Sequence, residues 1–77
     1  MSALDAELRD ALASTALGQP LTVALERDLG MAARSVLARH GLADATVVVR
    51  RVGQALDIEV IPPPRVPNVR RISLRLG

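Results

Sequence analysis

Cysteine, lysine and all three large aromatic residues are missing from this 77-residue chain. Without cysteine there is no disulfide framework, no thiolate metal site and no thiol nucleophile. Without phenylalanine, tyrosine or tryptophan there is no stacking platform for bases and no aromatic cage for a quaternary cation. A single histidine, His40, excludes a multi-histidine metal site. The five glycines stand apart at 18, 30, 41, 53 and 77, and no lysine is at hand, so no phosphate-cradling loop is present. None of the serines at 2, 14, 35 and 73 lies in an elbow motif.

What is present is aliphatic. Hydrophobic residues make up 49% of the chain, all of them alanine, valine, leucine, isoleucine or methionine. A chain this short buries only about 60% of the surface it exposes when unfolded, so one domain with a thin stability margin is expected. All ten cations are arginine. Residues 1–44 carry four of them against six acids, and residues 45–77 carry six against only Asp57 and Glu59. The C-terminal half is thus a basic module on a mildly acidic base. Arginine also suits bidentate pairing with carboxylate or phosphate better than lysine does.

The N-terminal region carries Asp5, Glu7 and Asp10 where a secretory signal has a basic segment and an apolar run. The uncharged stretch from Ala11 to Leu25 is broken by Gly18-Gln19-Pro20. It falls short of the roughly 20 residues of a membrane span. The expectation is a cytoplasmic protein, or one assembled into a particle from the cytoplasm, with no membrane partner.

Two helices come first. Residues 2–17 place Leu4, Leu8, Leu12 and the Ala16/Leu17 step on one stripe, with Ser2 as cap and Asp5 three residues on. Gly18 takes the left-handed position after the helix, and Pro20 blocks continuation. A second helix is predicted from Pro20, a favourable first residue, to His40. Its stripe is Leu21, Leu25, Leu29, Ala32, Ala33, Val36 and Leu37. Gly30 costs about 1 kcal/mol relative to alanine and invites a kink or break. Arg34, Arg39 and His40 suit the negative end of the helix dipole. Gly41 and Leu42 then complete a Schellman ending, with Leu42 against Leu37.

After Asp44 the period changes from 3.6 to 2. Residues 46–61 read as two strands about Gly53-Gln54, and glycine at the first central position suits a type II′ turn. That turn sets 52 opposite 55, 50 opposite 57, 49 opposite 58 and 47 opposite 60. Val47, Val49, Leu56, Ile58 and Val60 then share one face, while Arg50 meets Asp57 and Val48 meets Glu59 on the other. Pro62-Pro63-Pro64 leaves the ladder, and residues 62–68 form a stiff connector. Residues 69–76 alternate again as a third strand. The expected fold is α+β, two N-terminal helices packed on a three-stranded antiparallel sheet in the order ααβββ.

Chemistry is scarce. His40 beside Arg39 reads as a helix cap, since no nucleophile or carboxylate lies at an informative spacing. Asp57 and Glu59, two apart on a strand, read as partners of arginine rather than as an acid–base or metal pair. No enzymatic activity, cofactor, metal or small-molecule substrate is expected. The remaining signal concerns assembly. The connector is long enough to carry the last strand to a neighbouring sheet edge. Arg65, Arg70, Arg71, Ile72, Leu74, Arg75 and Leu76 are therefore the candidate partner-binding residues, with Ile72, Leu74 and Leu76 expected to be buried on the chain's own hairpin or on a neighbour. The function expected is that of a non-enzymatic structural subunit or adaptor in an oligomer or larger assembly. Small aliphatic chains without aromatics resemble, in kind though in no motif, phage tail and baseplate components. The alternative is a small arginine-rich nucleic-acid-binding protein. Against it, no recognition-helix, GXXG or aromatic RNA-binding motif appears.

Overall fold

A computed structural model describes residues 3–63 and, as backbone only, 70–75. The chain forms α1 (Ala3–Ala16), α2 (Val23–Arg39), β1 (Thr46–Val52), β2 (Ala55–Ile61) and a backbone segment, β3 (Arg70–Arg75). The architecture is α+β, with two helices packed on an antiparallel sheet whose body is the β1–β2 hairpin. The cap expected at Ser2, the connector from residue 64 onward and the side chains of the third strand lie outside the described residues.

The helix ends follow local chemistry. α2 begins at Val23, not at Pro20. Thr22 is its N-cap, with extended backbone (φ −129°, ψ 167°) and a hydroxyl oxygen that accepts the Leu25 N–H at 3.2 Å. Proline supplies only a preset φ, whereas threonine satisfies an otherwise orphaned donor, so the helix starts at the threonine. Gly18 has φ +71° in the turn after α1, as its position predicts. Leu17 lies past the end of α1 and is 80% exposed, so Ala16 alone carries the apolar stripe at that step. At the other end of α2 the Leu42 N–H donates to Leu37 O at 2.8 Å and the Gly41 N–H to Ala38 O at 3.2 Å. With Gly41 at φ +75°, this is the expected Schellman ending. α2 runs unbroken through Gly30. Gly30 is buried, and packing of the turns on either side outweighs its poor propensity.

The hairpin keeps the expected register, with Val52 paired to Ala55, Arg50 to Asp57, Val49 to Ile58 and Val47 to Val60. Gly53 has φ +62° while no described non-glycine residue has positive φ, the signature of a II′ rather than a I′ turn. One core follows from these elements. Leu8 and Leu12 of α1, Leu29 and Leu37 of α2, and Leu56, Ile58 and Val60 of β2 are all fully or almost fully buried in it. Each such leucine contributes roughly 1.5–3 kcal/mol by leaving water. The backbone of β3 runs antiparallel to β2, with Ile72 registered at Ile58, Leu74 at Leu56 and Arg71 at Glu59. Strand order is β1-β2-β3. Every element has close backbone contacts with the next in sequence: α1 with α2, α2 with β1, β1 with β2, and β2 with β3.

Candidate functional site

The C-terminal residues singled out by sequence divide into two sets. Arg65 and Leu76 fall outside the described residues. Arg70, Arg71, Ile72, Leu74 and Arg75 are placed by backbone register alone, along β2. The basic set of the C-terminal half is not a single surface. Arg50 stands on the outer face of the sheet, opposite Asp57. Arg51 is on the helix-side face, opposite Leu56, and its guanidinium reaches Glu26 of α2 at 4.0 Å. Period-2 parity already puts Arg51 on the same face as Val47 and Val49, so this separation was available in the sequence.

On the outer face, Arg50, Asp57, Ile58 and Glu59 line a shallow hollow of about 90 Å³. Sites for drug-sized ligands enclose roughly 300–1,000 Å³, so this one holds only a few atoms. Asp57 and Glu59 are both engaged in interactions of their own. Among the described residues no group of three or more histidine or acidic side chains converges as metal ligands.

A polar cluster joining distant residues lies at the far end of the helix pair. Because α1 and α2 are antiparallel neighbours, the start of α1 meets the end of α2. There Glu7 receives two nitrogens of Arg39, Nε at 3.1 Å and the terminal nitrogen closer still, on one carboxylate oxygen. His40 Nε2 lies 3.2 Å from its other oxygen. The hydrogen bond from His40, then that from Arg39, holds the Glu7 carboxyl below its usual range. His40 thus has a carboxylate neighbour that its local sequence does not announce. The carboxylate has both oxygens occupied and lies at the surface. The trio fastens α1 to α2 through charge-assisted hydrogen bonds to both carboxylate oxygens.

Among the described residues the exposed large apolar side chains are Leu17, Val23, Met31, Val52 and Ile61. Val52 and Ile61 share the outer face of the sheet, which no described element covers. Among the described residues no helix is long and apolar enough to cross a membrane. Comparison with family models, with curated proteins and with solved structures finds no match to this chain.

Proposed function

We propose that the chain is a non-enzymatic structural subunit or adaptor that acts by protein–protein contact in an oligomer or a larger assembly. The observation that carries this reading is the one-sided cover of the sheet. Both helices pack on one face, and the opposite face keeps Val52 58% and Ile61 40% exposed around the Arg50–Asp57 pair. Exposed apolar side chains at the two ends of the hairpin, with a charged pair between them, mix the group types found in protein contacts. In this reading the third strand completes the sheet as ααβββ. Ile72 and Leu74 continue the apolar face of Ile58 and Leu56, as their register positions allow. Arg65, Arg70, Arg71 and Arg75 then set register and specificity toward the partner, and Leu76 extends the apolar face.

The mass of the native particle tests the reading. Wild type should exceed its 8.2 kDa monomer mass in solution or with its partner. The pair Val52→Asp and Ile61→Asp should return it to monomer with an unchanged circular dichroism spectrum. A chain that stays monomeric at high concentration and joins no complex sinks the proposal. The excess of arginine after residue 45 favours nucleic acid as the second reading. Binding of that kind weakens steeply with added salt. Tight, sequence-selective binding at physiological ionic strength would put it first.

A further inference from the structure

β1 is an edge strand. Its pairing with β2 through a two-residue turn makes Val52 and Ala55 the closing hydrogen-bonded pair, and the pattern alternates from there. The N–H and C=O groups of Val47, Val49 and Arg51 therefore point away from β2. Among the described residues, no backbone hydrogen bond outside the helices and strands engages these three. The run Thr46-Val-Val-Val-Arg-Arg-Val52 has no proline to blunt it, so the edge is a template for another strand. Nor does α2 seal it. Val49 is only half-buried, while its cross-strand partner Ile58 is completely buried.

Cations outnumber acids around this edge, where Glu26 engages Arg51 and Asp57 stands opposite Arg50. Two ion pairs orient α2: Arg39 reaches Glu7 on α1, and Glu26 reaches Arg51 on β1. At about 100° per residue, Arg27 and Arg34 fall roughly half a turn from the Leu25–Val36 seam, on the flank turned away from α1. Both are exposed. Since α2 packs on β1, and Leu8 and Leu12 of α1 share the core with β2, that flank stands above the free edge. Arg27 and Arg34 from above, with Arg50 and Arg51 in the strand, frame the edge, and the exposed Val23 borders the same flank.

Resting on the protein-contact reading above, we infer that the free edge of β1 receives an extended, acidic segment of a partner protein as an added strand. Backbone groups of Val47, Val49 and Arg51 supply its hydrogen bonds, and Arg27, Arg34 and Arg50 select its charge. A second copy of this chain is the wrong occupant. β1 paired with itself about Val49 brings two Arg27/Arg34 flanks together, and the chain's own C-terminal strand is as basic as the edge.

The test uses the intact chain, labelled for amide NMR and hydrogen exchange, with a short synthetic peptide alternating Glu and Val as probe. Binding should slow exchange at the amides of Val47, Val49 and Arg51. The double variant Arg27→Glu/Arg34→Glu should weaken it by about tenfold or more, as expected when facing charges are reversed. Arg9→Glu on α1 should leave the affinity within about twofold. A peptide alternating Lys and Val should not bind, nor should the acidic peptide with N-methylated amides. Equal binding of the Lys peptide, indifference to the charge reversal, protection of the same amides by a DNA duplex in preference to the peptide, or their protection by self-association would each overturn the inference. An assembly that survives Arg27→Glu/Arg34→Glu while the acidic peptide fails to bind wild type defeats this inference alone. An edge that takes the peptide in a chain that enters no assembly defeats the assembly reading alone.

Discussion

β1 and β2 are equal in length, rich in β-branched residues and locked in one register, yet they differ in what holds them. β2 alternates between buried and half-exposed positions from Ala55 to Val60, with Leu56, Ile58 and Val60 fully enclosed. β1 buries only Val47 and is exposed from Arg50 onward. The difference lies in neighbours rather than propensity. A central strand has its inner face closed by helices above and strands on both sides, whereas an edge strand lacks one side. Intrinsic preference for extended backbone says little about how much a strand contributes to stability.

Truncation is the most direct way to break that comparison. Ile58→Ala should cost about 2–4 kcal/mol, because the enclosed site cannot collapse around the missing atoms. Val49→Ala, its cross-strand partner, should cost about 1 kcal/mol or less, since the site already opens to water. Equal losses in chemical denaturation would mean that β1 is as well enclosed as β2. The turn that joins the two strands comes next. Gly53→Val forces a β-branched residue to positive φ, at a cost of about 1–2 kcal/mol. Gln54→Asn should be nearly neutral, and a melting temperature untouched by either change would mean a misassigned turn.

The helical layer sharpens the contrast with a gain. A Cβ added at Gly30 meets nothing within 4 Å, and its backbone is already helical. Gly30→Ala should stabilise by about 1 kcal/mol, read as a higher denaturation midpoint. The smallest effect is the acid sensitivity of the surface trio. With its carboxyl held below the ordinary value of 4.5, Glu7 stabilises the fold fully above that pH. The contribution fades as pH falls through the depressed folded value. Thermal melts from about pH 6 to about pH 3 should therefore fall less in Glu7→Gln than in wild type. Parallel curves would show that the trio adds nothing.

Much of the fold was legible because its signals are local. The hairpin register follows from one glycine at the turn and two alternating runs, and the end of α2 follows from Gly41 and Leu42. The start of α2 misled because two signals compete within three residues. Pro20 sets only a dihedral angle, whereas Thr22 has the acceptor that the first turn needs. Leu17 misled because apolar spacing does not mark the residue at which a helix stops. The trio of Glu7, Arg39 and His40 was illegible, since no local pattern links residues more than thirty positions apart. Only the antiparallel helix pairing brings them together. The outer face and the free edge required knowing which strand lies at the margin, a property of topology rather than of any single strand.

The neighbour-to-neighbour arrangement of the elements has a kinetic meaning. When each helix or strand closes chiefly on the one before it, no long loop has to be drawn shut before contacts form. Folding of such mixed chains is faster than that of all-β domains, whose contacts are mostly non-local. A chain that exposes a sticky strand edge while it is being made gains from this speed. The interval in which wrong partners find that edge is short, and each passing local opening heals by the same short path.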